Sequence, residues 1–286
     1  MGSALDVRVV AEPTEFFERA AGLLLADEPR NNLILGLTGV LRDQPGVYPE
    51  FSLWLVRDGA DVVGAALRTP PYGLVLGPAS PAATAALAET IEGELPGAVG
   101  VVPEIDSFAE AWGVKQGVAT EVRFAQGIYA LERLIEPKDV SGSARVATPG
   151  DTELLRNWLI EFSREALHES DPDEARIART IRQRIERNDA SFVVWDDGGP
   201  VSLAGCGGDT PSGSRIGPVY TPPEHRGRGY GSAVTAAITR ARLQVGRRFC
   251  FLYTDLANPT SNRIYLDLGY ERVGDSREYV FGRGGH

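Results

Sequence analysis

The order of predicted secondary-structure elements occurs twice along this chain of 286 residues. Near its start, the alternating pattern Val7–Val10 predicts a strand, which leads through Glu12-Pro13-Thr14 into an amphipathic helix. The same succession recurs at Ala144–Ala147 and Thr148-Pro149-Gly150-Asp151, where Thr148 or Asp151 suits a helix N-cap. A repeat of about 137 residues is too long for a solenoid unit and indicates the duplication of a whole domain.

Each half continues with a predicted hairpin and then with strands separated by helices. The hairpin turns are Asp58-Gly59-Ala60 in the first half and Asp196-Asp197-Gly198-Gly199 in the second. Antiparallel steps followed by β-α-β crossovers predict an α/β (α+β) fold, with a mixed, mostly antiparallel sheet flanked by helices in each half. The Pro, Gly and Ser residues of Glu136–Ser143 predict the joint, and hence domains at residues 1–138 and 142–286.

Composition argues against several classes of protein. The chain is 43% hydrophobic, enough for a sizeable core, yet no apolar run approaches the roughly 18 residues of a membrane span. The opening Met1–Asp6 lacks the pattern of a secretory signal, and the two separated cysteines, Cys206 and Cys250, predict a reducing, cytoplasmic compartment. Three histidines and two cysteines leave little material for a zinc site, so no metal is expected.

The net charge of −10 is unevenly distributed along the chain. Residues 1–141 contain 10 Lys and Arg against 20 Asp and Glu, whereas residues 211–286 contain 11 against 6. The overall acidity argues against nucleic acid as a partner, because binding its phosphates requires a basic face. The basic last quarter indicates either an anion site or an ordinary fluctuation of surface charge.

A glycine-rich segment in that basic quarter has the features of an anion-binding loop. It reads Pro222-Pro223-Glu224-His225-Arg226-Gly227-Arg228-Gly229-Tyr230-Gly231 and joins a predicted strand to a predicted helix. Glycines let main-chain N–H groups converge on a ligand, and a helix N-terminus adds unpaired donors with a partial positive charge. With the formal charges of Arg226 and Arg228, this segment predicts a site for a phosphate or a pyrophosphate.

Two well-known phosphate loops match this segment poorly. A dinucleotide loop of the G-x-G-x-x-G type follows its strand directly, whereas Thr221-Pro222-Pro223-Glu224-His225 intervenes here. A Walker loop requires G-K-[ST], which is absent. An acyl-CoA loop is the remaining interpretation.

The pattern Arg226-x-x-Gly229-x-Gly231 resembles the R/Q-x-x-G-x-G/A signature of the GNAT superfamily of N-acetyltransferases. Further on, Asn258 to Tyr270 resembles that family's second CoA motif, N-x-x-[SA]-x-x-x-Y-x-x-x-G-[FY]. The resemblance covers about residues 145–281 and implies acetyl-CoA as cosubstrate. It also implies transfer of the acetyl group to a primary amine by direct attack in a ternary complex. The alternative is an acyl-CoA-binding pseudoenzyme or sensor without turnover.

The resemblance further implies which residues hold acetyl-CoA. Main-chain groups of Val219 and Thr221 would pair with the pantetheine arm, and the amides of residues 226–232 would bind the pyrophosphate. Asn258 and Asn262 would bind the arm or steady the thiolate, although Asn258 and Ser261 suit a helix cap equally well. The full implied set is Val219, Tyr220, Thr221, Arg226, Gly227, Arg228, Gly229, Tyr230, Gly231, Ser232, Asn258, Ser261, Asn262 and Tyr265.

Tyr265 matches the tyrosine that, in many members of the superfamily, donates a proton to the CoA sulfur. A phenol with a pKa of about 10 suits a departing thiolate of similar basicity. Packing beside Ile264 and Leu268 is the other explanation of this residue.

The general base that would deprotonate the amine is left open by the sequence. Glu161, Glu165 and His168 are expected to share one face of a predicted helix, and Asp209 follows a predicted strand. A chain of water molecules that carries the proton to bulk solvent is an equal alternative.

The first half lacks a corresponding CoA loop. Between Leu76 and Thr84 it reads Gly77-Pro78-Ala79-Ser80-Pro81-Ala82-Ala83, without arginine or G-x-G, and no second motif follows. We therefore expect a degenerate GNAT-like domain that holds no CoA. It would wall off the acceptor cleft, attract a cationic acceptor through its negative charge, or only bury the face of the other domain.

We expect a small-molecule or peptide amine as acceptor, no nucleic acid, no membrane, and a monomer or a homodimer.

Overall fold

The computed structural model describes residues 5–187 and 191–282. Residues 1–4, on which the expectation about a signal segment partly rests, lie outside the described residues. The first half contains β1 (Asp6–Val10), α1 (Pro13–Leu24), α2 (Asn32–Asp43), β2 (Ser52–Asp58), β3 (Asp61–Arg68), β4 (Leu74–Ala79), α3 (Pro81–Thr90), β5 (Gly97–Val101), α4 (Glu104–Gln116) and β6 (Ala119–Leu131).

The second half repeats this order of elements, as the sequence predicts. It contains β7 (Ser143–Val146), α5 (Thr152–Ala166), α6 (Glu174–Arg187), β8 (Phe192–Asp196), β9 (Pro200–Cys206), β10 (Gly213–Tyr220), α7 (Tyr230–Gln244), β11 (Phe249–Asp255), α8 (Pro259–Asp267) and β12 (Glu271–Gly282). The α/β prediction with mixed sheets flanked by helices is confirmed.

The chain divides into two compact units. The first consists of Met1–Ile128, Gly208–Pro211 and Val273–His286, and the second of Tyr129–Gly207 and Ser212–Arg272. In the first unit the strands are ordered β1-β2-β3-β4-β5-β12-β6. The strands β4 and β5 pair in parallel, whereas β12 pairs with β5 antiparallel, with Ser276 opposite Val101.

The second unit has the strand order β7-β8-β9-β10-β11, followed by the end of β6. The pair β10–β11 is parallel, and β7, β8, β9 and β10 pair antiparallel with their neighbours.

The compact units therefore differ from the two contiguous domains, 1–138 and 142–286, that the sequence predicts. The difference lies in the last strand of each half. Residues from Val273 onward complete the sheet of the first unit, and residues from Tyr129 onward belong to the second. A strand pattern shows that a segment is extended, but its partner is chosen by hydrogen bonds to residues far away in the sequence. The boundaries read from composition could not include this exchange of strands.

Each sheet has helices on both faces, and these helices bury the core. In the first unit, Phe16 and Leu24 of α1 lie in one buried cluster, and Phe108 and Trp112 of α4 lie in another. In the second unit, α5 and α6 bury a cluster that includes Ile181 and Tyr220, and α7 and α8 bury a cluster that includes Tyr265. Removal of such apolar area from water, at about 25 cal/mol per Å², is the main stabilising contribution to each unit. The site described below lies where these two clusters of the second unit meet β10.

The turn before α5 contains the predicted cap, in which Thr148 and Asp151 act together and Arg145 binds the same carboxylate. Asp151 accepts hydrogen bonds from the Thr148 N–H at 2.7 Å and from the Thr148 hydroxyl at 2.9 Å. Arg145 binds both oxygens of the same carboxylate at 2.8 Å. The bidentate Arg145 contact, followed by the Thr148 bonds, lowers the pKa of Asp151. This ion pair joins β7 to the start of α5.

The described ranges, 5–187 and 191–282, contain neither a membrane-spanning helix nor a cluster of metal-ligating side chains. No helix there combines the length and the apolar character that crossing a membrane would require. No group of three or more His, Cys, Asp or Glu side chains in these ranges is arranged to hold a metal ion.

Candidate active site

The glycine-rich segment forms a compact loop between β10 and α7. Pro223–His225 makes one turn of 3-10 helix, and α7 begins at Tyr230. Gly227 and Gly229 have φ of +76° and +82°, in the left-handed region that other residues seldom adopt. Gly229 is also the N-cap of α7. The two glycines thus allow the chain to turn sharply into the helix.

This loop presents a run of main-chain donors. The first hydrogen bond within α7 runs from the Ala233 N–H to the Gly229 carbonyl, at 3.0 Å. Across the described part of the chain, none of the N–H groups from Gly227 to Ser232 donates to a protein acceptor. Six consecutive donors at the positive end of a 15-residue helix make a site for an anion.

The strand before the loop separates from its parallel neighbour. Pairing of β10 with β11 is limited to Gly213–Arg215 against Phe249–Phe251, although β10 continues to Tyr220. The register of β10 against β9 shifts between Ile216 and Val219. The last part of β10 therefore borders a cleft between two diverging strands.

The end of β10 is held by side chains of its own unit. The Ser202 hydroxyl donates to the Tyr220 carbonyl at 3.0 Å and lies 2.8 Å from the Thr221 hydroxyl. The Thr221 carbonyl accepts a hydrogen bond from the Arg226 Nε at 2.9 Å. Val219 is opposite Ala204 of β9. Of the main-chain groups predicted to pair with pantetheine, the Thr221 carbonyl is thus already bonded.

Tyr265 is the buried phenol beside this cleft. It is 9% exposed and lies in the cluster against which Val219 and Ile264 also pack. Its ring meets that of Tyr270 edge-on, with 6.0 Å between centroids, and the Tyr270 hydroxyl lies 2.7 Å from the Thr239 hydroxyl. Burial raises the pKa of Tyr265 to about 12, so the hydroxyl is protonated at neutral pH.

The start of α8 uses its asparagines mainly for structure. The Asn258 Oδ1 accepts the Ser261 N–H at 3.0 Å, which is the helix-capping alternative. The Asn262 Nδ2 donates to the carbonyls of Asp255, at 3.0 Å, and Asn258, at 2.8 Å. The Asn262 Oδ1 is buried and has no partner among the residues described. Asn262 therefore retains an acceptor that a ligand amide would satisfy, whereas the Asn258 side chain is engaged.

Comparison with known proteins gives the same fold. The model of the family described as FR47-like protein matches residues 197–280. A Drosophila protein superimposes with a TM-score of 0.68 at 13% identity, covering 99% of this chain and 100% of that one. A GCN5-related N-acetyltransferase from Sphaerobacter thermophilus gives 0.62 at 17%, covering 99% and 97%. A tandem GNAT protein from the clavulanic acid biosynthesis pathway gives 0.59 at 15%, covering 98% and 99%.

This chain has the fold of tandem GNAT proteins. The structural likeness extends over nearly the whole chain, which explains the repeated order of elements. At these identities it establishes the fold alone. No curated protein matches the sequence.

The two arginines of the glycine loop differ from the expectation that both add their charge to the anion site. The Arg226 guanidinium donates to the Glu165 carboxylate at 2.6 Å and lies 5.9 Å from the centre of the Tyr220 ring. It is thus directed toward α5, while Arg228 is exposed. A Cβ placed on Gly231 would lie at ordinary contact distance from the Thr221 hydroxyl and the end of the Ile264 side chain.

The two glutamates predicted as candidate bases both have ionic or hydrogen-bonding partners. Glu165 accepts the Tyr220 hydroxyl at 3.4 Å on one oxygen and Arg226 on the other. Burial, followed by the charge of Glu165, raises the pKa of Tyr220. Glu161 forms an exposed ion pair with Arg164 at 2.7 Å. Neither carboxylate is a free, buried acceptor.

Two other base candidates lie elsewhere in the fold. The prediction that His168 continues the helix face is wrong, because α5 ends at Ala166 and His168 has φ of +52°. There the Glu169 N–H turns back to the Ser163 carbonyl at 3.1 Å and closes the helix. Asp209 belongs to the first unit.

The equivalent position in the first unit has a much shorter connection. A single residue, Ser80, separates β4 from α3. Its hydroxyl accepts the Ala83 N–H at 3.2 Å, its carbonyl accepts the Thr84 N–H at 2.9 Å, and Pro81 has no N–H. Of residues 81–84, only Ala82 keeps an N–H group without a protein acceptor in the described part of the chain, against six consecutive residues in the second unit.

Sequence reasoning missed the neighbours of the glycine loop. Asp197 was part of a predicted hairpin turn, and Val140 and Ser141 were part of the predicted joint. In the structure Tyr230 donates to Asp197, and Val140 packs against Gly229. The Pro, Gly and Ser residues of the joint indicated a turn, but they did not indicate that this turn contacts the glycine loop.

Proposed function

We propose that the second unit is an acetyl-CoA-dependent N-acetyltransferase that acts on a primary amine by direct attack in a ternary complex. The observation that carries the proposal is the run of six main-chain N–H groups from Gly227 to Ser232 without a protein acceptor. Such a run, with a helix N-terminus and Arg228 beside it, suits the pyrophosphate of CoA. The open end of β10 suits the extended pantetheine arm.

The residues of this unit support the chemistry of acyl transfer. Acetyl-CoA supplies a thioester carbonyl that an amine can attack. Main-chain N–H groups in the cleft next to β10 would stabilise negative charge as it develops on the carbonyl oxygen. The Tyr265 hydroxyl would donate a proton to the departing sulfur. Its raised pKa matches this role because a buried thiolate is also more basic than one in water.

The acceptor amine must reach the cleft without its proton. Since Glu165 is paired with Arg226 and Glu161 with Arg164, we propose that water, rather than either carboxylate, removes that proton. We propose a small molecule or a peptide as the acceptor. A cytoplasmic location also forms part of the proposal, because Cys206 and Cys250 are both buried and form no disulfide.

We also propose that the first unit holds no CoA. At the start of its Ser80-capped helix only the Ala82 N–H is open, instead of a run of six donors, and Arg30 donates to the Val102 carbonyl, at 3.3 Å, just after β5. That carbonyl lies just beyond Gly100, the last residue of β5 that pairs with β4, so the Arg30 side chain lies beside the end of this parallel pair.

Calorimetric titration of the full chain with CoA tests both statements. We expect one CoA per chain. Thiol release from acetyl-CoA is then measured with a panel of small amines, amino acids and lysine peptides. No CoA binding would refute the proposal, and binding without thiol release on any amine would favour a sensor. Two CoA molecules per chain would contradict the assignment of the first unit.

A further inference from the structure

The joint between the halves packs directly on the glycine loop of the second unit. A Cβ placed on Gly229 would lie 3.0 Å from a Val140 methyl group. The Trp195 indole N–H donates to the Ser141 carbonyl at 2.8 Å. Gly142 has φ of +91°, and a Cβ there would collide with the Asp196 carbonyl. Residues 140–142 therefore have a defined position beside the loop.

Asp197 joins this segment to the first residue of α7. Its Oδ2 accepts the Ser141 hydroxyl at 2.6 Å and the Tyr230 hydroxyl at 2.5 Å. These two hydrogen bonds and the nearby charge of Arg228 lower the pKa of Asp197. One carboxylate oxygen thus connects the joint, the hairpin turn and the glycine loop.

A carboxylate is electrostatically unfavourable next to a site for an anion. If charge alone decided its effect, Asp197 would repel a pyrophosphate and offset part of the attraction of Arg228. Its two short hydrogen bonds give Asp197 a second possible effect, which is to hold the Tyr230 side chain in place. Tyr230 contributes one of the six open N–H groups of the loop. A fixed Tyr230 side chain fixes the direction of that N–H group.

We infer that Asp197, together with Ser141, is a positioning residue for CoA: it holds Tyr230 and thereby the donors of the glycine loop. The inference rests on the proposed function. Positioning and repulsion predict opposite signs when the carboxylate is removed, so a binding measurement separates them. An asparagine retains one acceptor at this place, whereas an alanine retains none.

The experiment measures the Kd of CoA and the steady-state constants for Asp197→Ala and Asp197→Asn in the full chain. We expect Asp197→Ala to raise the Kd and the KM for acetyl-CoA roughly tenfold and Asp197→Asn about threefold, the scale of one or two exposed hydrogen bonds. The kcat at saturation should stay within about twofold, since the chemistry at Tyr265 is unchanged. Asp58→Asn, in the equivalent hairpin turn of the first unit, is the matched control and should change nothing.

A second measurement tests the shared oxygen. Tyr230→Phe and Ser141→Ala should each weaken CoA binding in the natural chain but have no further effect in Asp197→Ala. Equal or tighter CoA binding by both Asp197 variants would overturn the inference and leave the proposed function intact. Absence of CoA binding by the natural chain would overturn the proposed function, and the inference with it.

Discussion

Replacement of Gly229 by alanine tests the glycine loop most directly. Gly229 has φ of +82° and ψ of 0° as the N-cap of α7, so an alanine there would be held in the left-handed region. Its Cβ would also approach the Val140 methyl group to 3.0 Å, closer than an ordinary contact. The variant chain can either keep the loop and bear the strain, or relax the loop and lose the arrangement of its N–H groups.

The magnitude follows from the backbone strain. A left-handed L-residue costs about 1–2 kcal/mol relative to glycine. If the loop relaxes in the free protein, CoA must restore it on binding, and that cost appears in the Kd. Because about 1.4 kcal/mol corresponds to a factor of ten, the Kd for CoA should rise about 5- to 30-fold.

Gly246 provides a matched control at the other end of the same helix. It has φ of +93°, and a Cβ there would meet nothing within 4 Å. Gly246→Ala should therefore lower the thermal midpoint of unfolding to a similar extent and leave the Kd for CoA unchanged. Calorimetric titration and thermal unfolding of both variants give the answer. If Gly229→Ala folds and binds CoA as tightly as Gly246→Ala, the reasoning about the loop is refuted.

Three further substitutions have defined outcomes. Tyr265→Phe should lower kcat about 100-fold and change the Kd for CoA less than twofold, and an unchanged kcat would exclude the proton-donor role. Glu165→Gln should lower kcat less than about tenfold, since both its oxygens are already engaged, whereas a loss of 100-fold or more would identify it as the base. Asp151→Asn should lower the free energy of unfolding at pH 7 by about 1–2 kcal/mol, because the bond to the half-exposed Arg145 is screened by solvent. The folded-state pKa of Asp151 lies below its ordinary value of 3.8, so its contribution is present above that pH and is lost as the pH falls further. Chemical denaturation should therefore show the two proteins converging below about pH 4, and a constant difference would contradict the ion pair as the cause.

The order of elements could be predicted because each signal is local. Strands alternate, helices repeat apolar residues every three or four positions, and a cap such as Thr148 with Asp151 marks a helix start. The same holds for Gly227 and Gly229, whose positive φ values agree with a loop of unusual backbone conformation. Each of these features is caused by residues that lie within about ten positions of it in the sequence.

The partners of individual side chains could not be predicted in this way. Glu165 was a candidate base, but Arg226, 61 positions away, engages its carboxylate. His168 continued the helical spacing, yet the hydrogen bond from Glu169 to Ser163 ends α5 before it. For Asn258 the sequence allows either a helix cap or a ligand contact. The hydrogen bond that its Oδ1 accepts from the Ser261 N–H shows that it caps the helix.

By itself, the sequence determined that this chain contains two α/β repeats and that only the second has an open glycine loop. Periodicity, turn residues and glycine positions act over short distances, so they are legible in the order of the residues. The tertiary structure alone decided that β12 pairs with β5, that residues from Tyr129 onward belong to the second unit, and that Val140 and Asp197 lie beside the loop. These outcomes depend on hydrogen bonds and packing between residues that are distant along the chain. The spacing of residues in the sequence does not show which distant residues come into contact.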